Sequence, residues 1–180
     1  SIENFDSDYM YPTSETGLVA YYPMDESSGT TVNDRAGSYN ATASGSNIID
    51  GKFGNARRFD GTNDYINTYA DIDYGTGTAI TVSAWFNYHN CTGADGICYI
   101  VSKGQYASGS AYTLLVTNTG VVRLSMMSTS VSSESGFNDG KWHYAVGVLS
   151  GTTGYIYVDG HLQTSGTLSP TNNNEYVIIG

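Results

Sequence analysis

Apolar residues along this chain recur at every second position in short runs, and no segment repeats them at the spacing of a helix face. The clearest run is "AITVSAWFNY", in which Ile80, Val82, Ala84 and Phe86 alternate with Thr81, Ser83, Trp85 and Asn87. "GLVAYYPM" opens the series of predicted strands. "NARRFDG" and "DYINTY" come next, joined through a compact turn at Gly61-Thr62-Asn63. "CYIVSKG", "AYTLLVT" and "VVRLSMM" follow, and "KWHYAVGVL", "GYIYVDGHLQTSG" and "YVIIG" complete the chain. In "YVDGHL", Asp159-Gly160 between alternating strands suits a two-residue hairpin turn, whose central positions both take positive φ. Many short strands at this spacing predict an all-β sandwich or barrel.

Composition agrees. Gly, Ser, Thr, Asn and Tyr are abundant and Ala, Leu, Glu and Lys scarce, which favours strands and tight turns over long helices. At 180 residues the chain is read as one domain over 17–180, preceded by a segment, 1–16, that is a strand or a linker. No run approaches the ~20 apolar residues of a membrane span, and no signal peptide is evident, so Ser1 is expected to be a processed or engineered start if the protein is exported. Asp and Glu outnumber Lys and Arg by 17 to 7, for a formal charge of −10. A surface of that sign repels phosphate backbones and excludes nucleic acid as a partner. It also suits a cation.

The two cysteines sit in "HNCTGADGICYI", where a Gly-rich loop between strand-like flanks can fold back on itself. A Cys91–Cys98 disulfide closing this loop is expected, and with it an oxidising compartment. The sequons "NAT" at Asn40 and "NCT" at Asn90 point to glycosylation and agree with an extracellular or cell-surface location.

Four stretches taken in order, "GLVAYYPMDESSGTTVNDRAGSYNAT", "GKFGNARRFDGTNDYIN", "AITVSAWFN" with "IVSKG", and "KWHYAVGVLSGTTGYIYVDGHLQTSG", resemble the laminin-G-like domains of the concanavalin A-like lectin/glucanase superfamily. The resemblance runs from about Gly17 to Gly180. It implies a jelly roll of two antiparallel sheets packed face to face, with Trp85, Trp142 and Phe59 expected to give the core its bulk. Trp142-His143 takes a structural reading, since a lone His on a strand is more often hydrogen-bonded than catalytic.

In that family a strand of the "IIG" type is followed by one more, closing strand, which lies beside the first strand of the domain. It is absent after Gly180, while "SIEN" at the chain's start resembles its opening, with Ile2 and Phe5 at the apolar positions. Three readings follow: residues 1 to about 12 complete the sheet of an identical subunit or tandem repeat, fold back on their own domain, or form a leader or linker. On the first of these, strand exchange between copies builds a filament.

The resemblance further implies a structural calcium ion near the junction of first and last strands. Asp25 and Asp34 in "MDESSGTTVNDRAG" are its expected ligands, joined by Glu3 if the first segment supplies the closing strand. Asp60, Asn63 and Asp64 offer a second oxygen cluster, although these side chains more simply shape their own turn. Catalysis has little support: the five glutamates (3, 15, 26, 134 and 175) are dispersed, whereas retaining glycoside hydrolysis needs two carboxylates about 5–5.5 Å apart. Sugar binding is the rival to a structural role, with Tyr21, Tyr22, Tyr65, Tyr69, Tyr88 and Tyr106 as stacking candidates among sixteen tyrosines. The expectation is therefore a non-enzymatic extracellular domain, a structural or adhesive subunit or repeat of a surface appendage or pilus-like filament. The alternative is a carbohydrate-binding module of a secreted protein or glycoside hydrolase.

Overall fold

The computed structural model describes residues 16–74, 79–88, 96–104 and 109–180. Fourteen strands cover them, and no helix among them is long and apolar enough to cross a membrane. In chain order the first seven are β1 (Thr31–Val32), β2 (Ala41–Ser44), β3 (Asn47–Asp50), β4 (Asn55–Arg58), β5 (Tyr65–Asn67), β6 (Ala79–Asn87) and β7 (Ile97–Lys103). Then come β8 (Tyr112–Thr117), β9 (Val122–Met126), β10 (Thr129–Ser132), β11 (Trp142–Ser150), β12 (Thr153–Val158), β13 (His161–Thr167) and β14 (Val177–Ile179). The large sheet runs β1-β2-β5-β14-β7-β8-β9-β10, the small one β13-β12-β11-β6, and β3 pairs with β4 in a separate hairpin. Every pairing is antiparallel. The expected two-sheet jelly-roll sandwich is the architecture found.

The core lies between the sheets. β6 turns Ile80, Val82 and Phe86 inward, β11 contributes Ala145 and Leu149, β12 contributes Ile156 and Val158, and the large sheet answers with Leu114, Val116, Val122, Leu124 and Met126. Gly147 on β11 lets the sheets approach, since a Cβ there would lie 2.9 Å from Leu124 Cδ1. The Asp159-Gly160 turn has positive φ at both residues, 51° and 80°, and Val158 pairs with His161 across it, as its sequence predicts.

Three expectations change. Trp85 is 41% exposed on the outer side of β6 and Trp142 is only half-buried, so neither supplies the core bulk assigned to it. Period-two alternation is the reason: with Ile80, Val82 and Phe86 facing in, Trp85 must face out. Phe59 does pack, against the smaller cluster of Val32, Ala41, Ala43 and Ile66. "GLVAYYPM" is not a strand; Tyr21 N donates to Asp34 Oδ1 (2.8 Å) and Tyr21 O accepts from Arg35 N (2.8 Å), which ties it to the loop at Asp34. β4 and β5 do not pair with each other, because β4 takes β3 and β5 lies between β2 and β14.

The third correction concerns β14. It is flanked on both sides, by β5 through Ile178–Asn67 and Ile179–Ile66, and by β7 through Val177–Lys103, Ile178–Ser102 and Ile179–Val101. The open edge expected beside this strand is not there. Ile2, Glu3, Phe5, Asn90, Cys91 and Tyr106 lie outside the described residues.

Candidate functional site

Asp34, an expected calcium ligand, spends its carboxylate on backbone. Oδ1 accepts from Tyr21 N (2.8 Å) and Ala36 N (3.0 Å), and Oδ2 accepts from Tyr39 N (3.2 Å). Its own N–H donates to Asn40 Oδ1 (3.0 Å). The side chain is buried and folds the 34–40 loop around itself, as Asx residues do in turns. Asp25 Oδ1 accepts from Asn55 N (3.1 Å), which ties the N-terminal stretch to the β3–β4 hairpin. Among the described residues no three His, Cys, Asp or Glu side chains are grouped to hold a metal ion. Around Asp60, Oδ1 accepts from Thr62 N and Asn63 N, and Asp64 Oδ2 accepts from Asp60 N, so these residues build the turn. Asn40 is exposed at the start of β2. Cys98 is disulfide-bonded; its expected partner Cys91 is outside the described residues.

His143 is held between two carboxylates. Nδ1 lies 2.7 Å from Asp159 Oδ2 and Nε2 lies 3.0 Å from Asp139 Oδ1, while Phe86 and Phe137 pack on the ring. Burial alone would pull the imidazole down, but the hydrogen bonds and charges of Asp159 and Asp139 outweigh it and leave the pKa raised. Asp159 Oδ1 also accepts from Tyr144 N (2.9 Å), so the group clamps the β12–β13 turn to β11. The structural reading of His143 fits this geometry.

What stands out chemically is the outer face of the small sheet. In the β6–β11 register Trp85 faces Tyr144, with ring centroids 5.2 Å apart and planes tilted by 36°. Phe53, in the β3–β4 turn and 63% exposed, meets Trp85 edge-on at 5.7 Å. Lys52 Nζ lies 5.4 Å from the Trp85 ring centre. Tyr144 Oη bonds Ser83 Oγ (3.0 Å), placing a hydroxyl pair beside the rings. Tyr155 and Tyr157 extend the same face on β12, opposite the buried Ile156 and Val158. The result is a partly exposed row of rings edged by a cation and two hydroxyls, able to take a flat, partly apolar ligand with polar rims.

Of the tyrosines proposed for stacking, Tyr88 is core; Tyr21 and Tyr22 are half-buried, with Tyr22 Oη bonded to Tyr39 O (2.7 Å). Tyr65 and Tyr69 are exposed, and Tyr69 pairs edge-on with Tyr176 at 6.1 Å, away from the small sheet. Phe53, Tyr144 and Lys52 were not anticipated. The alternation of "AITVSAWFNY" could have found Trp85. Nothing local brings the β3–β4 turn to it, since β3 and β4 stand outside both large sheets.

These features define an antiparallel jelly-roll domain with an aromatic outer face. The chain belongs to the laminin-G-like family of the "Concanavalin A-like lectin/glucanases superfamily", whose family model matches residues 60–180. In structure it is similar to a domain of Trypanosoma rangeli sialidase (TM-score 0.66, 14% identity), covering 93% of this chain and 28% of that one. It is also similar to the carbohydrate-binding module CBM66 from Bacillus subtilis (TM-score 0.48, 13% identity, covering 77% of this chain and 86% of that one). A third likeness is to the CBM40 of Ruminococcus gnavus IT-sialidase (TM-score 0.46, 12% identity, 58% and 64% covered). The chain thus spans little more than a quarter of the sialidase's length, and these likenesses bear on fold alone. No curated protein matches the chain in sequence.

Proposed function

We propose that this domain is a non-enzymatic glycan-binding module of an exported protein, which binds sugar on the outer face of its small sheet. The observation that carries the reading is the partly exposed Phe53–Trp85–Tyr144 array. Indole and phenol faces match the C–H face of a pyranose, while Ser83, Tyr144 Oη and Lys52 can meet its hydroxyls. Phe53 and Trp85 are 63% and 41% exposed, apolar area that a ligand would take out of water. The disulfide at Cys98 supports export, because such bonds persist in oxidising compartments.

The test is a glycan array, followed by titration of the leading hit with tryptophan fluorescence as readout. Binding is expected, and Trp85→Ala should weaken it by about 2 kcal/mol, roughly 30-fold. Tyr69→Ala, on a different face, should leave affinity unchanged. An array with no hit, or affinity that survives Trp85→Ala, refutes the proposal.

A second reading, assembly of copies through a sheet edge, draws support from β6. Among the described strands β6 pairs on one side only, with β11, and its nine residues form the longest free edge of either sheet. Its unpaired backbone groups could accept a strand such as residues 1–12 of another copy.

A further inference from the structure

Lys103, the last residue of β7, has a fully buried side chain (0% exposed). Buried lysines are rare and need partners. The Nζ of this one is in direct contact with Asp71 Oδ1 and lies 3.2 Å from Asp73 Oδ1, 2.8 Å from Asn173 O and 2.7 Å from Glu175 O. Asp71 and Asp73 belong to the stretch between β5 and β6, and Asn173 and Glu175 to the approach to β14, so three separate parts of the chain converge on one nitrogen. Tyr112, itself buried, closes the site from β8, its Oη donating to Ile72 O (3.0 Å). The glycan-binding reading makes no use of this cluster.

An amine, a carboxyl touching it and a second carboxyl within reach are the components of an amide condensation held at high effective concentration. We propose that Lys103 and Asp71 join in an intramolecular isopeptide bond, with Asp73 as the proton carrier.

The step balances without an oxidant or cofactor. Asp73 relays one proton from the Lys103 ammonium to the Asp71 carboxylate, which leaves a free amine, a neutral Asp71 acid and an ionised Asp73. The free Nζ electron pair attacks Asp71 Cγ, forming the C–N bond and a tetrahedral carbon. Asp73 accepts the second proton from nitrogen and returns a proton to the departing hydroxyl, which leaves as water when the C–O bond breaks. The amide keeps one N–H, for which Glu175 O or Asn173 O is the acceptor. Asp71 is partly open to solvent, which gives the water an exit. The product would bind the loop leading into β6, in the small sheet, to the end of β7 in the large one.

Intact-mass spectrometry of the reduced full chain tests this. The wild type should be one water lighter than its sequence, and digestion should yield a branched peptide linking Lys103 to Asp71. Asp71→Ala and Lys103→Ala should both run at their full sequence masses. Asp71→Asn should react by losing ammonia, arriving at the same product mass as the wild type, which a misfolded variant would not do. Asp73→Asn should stay at full mass. A wild type at full sequence mass overturns the proposal and leaves the cluster an ion pair. So does a water loss that maps elsewhere or vanishes in mild alkali, as a succinimide at an Asp-Gly sequence such as Asp50-Gly51 would. Reaction undiminished in Asp73→Asn overturns the role given to Asp73.

Discussion

Asp34 shows how one short side chain replaces a strand. Three backbone N–H groups from residues 21, 36 and 39 end on its two oxygens, so the 34–40 loop is shaped around it and the 17–24 stretch is fastened to that loop at Tyr21. Hydrogen bonds to a buried charged acceptor are worth more than neutral ones, and losing the acceptor strands all three donors. Asp34→Ala should therefore destabilise the domain by about 3 kcal/mol in chemical denaturation. Asp34→Asn should cost less, because its Oδ1 still accepts from Tyr21 and Ala36 while its amide opposes only Tyr39 N–H. A chelator-induced drop in the wild-type melting temperature that Asp34→Asn abolishes would assign the calcium ion expected from sequence to this loop; a drop unchanged in the variant would place it elsewhere. Trp85 carries the complementary lesson. Its residue type suggests core, but its position in an alternating strand puts it on the surface.

At the scale of elements, the β12–β13 hairpin is held at its tip by His143. Its raised pKa means that protonated His143 is favoured in the folded state, so its contribution is fully present below the ordinary histidine value of about 6.5 and is lost as pH rises through the higher folded value. The lowered Asp139 and Asp159 work in the opposite direction: hydrogen bonds from Lys141 and His143 hold Asp139 down, and those from His143 and Tyr144 outweigh burial at Asp159. Their contribution is present above the ordinary carboxylate value of about 4 and fades as pH falls through the folded values. Thermal melts from pH 4 to 9 should show greatest stability between about 4 and 6.5 and a decline above that range. His143→Gln should flatten the decline above 6.5; an identical slope in the variant would show that another group sets it.

The elements also show what was legible. The Asp159-Gly160 hairpin and β6, β8, β9, β11 and β12 could be read from alternation and turn chemistry, because those signals are local. "GLVAYYPM" is as apolar as those strands, yet Asp34 captures the Tyr21 N–H. "ATAS" at β2 has none of the bulk that marks a strand, and the β3–β4 hairpin is marked locally only by its Gly51–Gly54 turn, where Gly51 N–H donates to Gly54 O (2.8 Å).

Across the whole molecule, the large sheet encloses β14 between β5 and β7, which removes the gap expected beside it. Among the described strands the longest free edge lies instead on β6 in the small sheet. If copies assemble through that edge, light scattering of the full chain should detect species larger than a monomer. Ser83→Pro, which places a residue without an N–H in the middle of the strand, should dissolve them only if that N–H faces outward. Deletion of residues 1–12 separates the donor: loss of large species identifies it, and their persistence excludes it. A monomer at all concentrations removes the reading and leaves glycan binding untouched.

The sequence by itself determined the all-β class, the principal strands and the turn at Asp159-Gly160, because side-chain alternation and positive φ depend on neighbours along the chain; the choice of a sandwich over a barrel came from the family resemblance. Tertiary structure decided the rest. It alone brought Phe53 from the β3–β4 turn to Trp85 and Tyr144, set Lys103 among Asp71, Asp73 and two distant carbonyls, and enclosed β14 on both sides. Those arrangements join residues tens of positions apart, and their contact depends on the order of strands in a sheet, which period-two alternation leaves open.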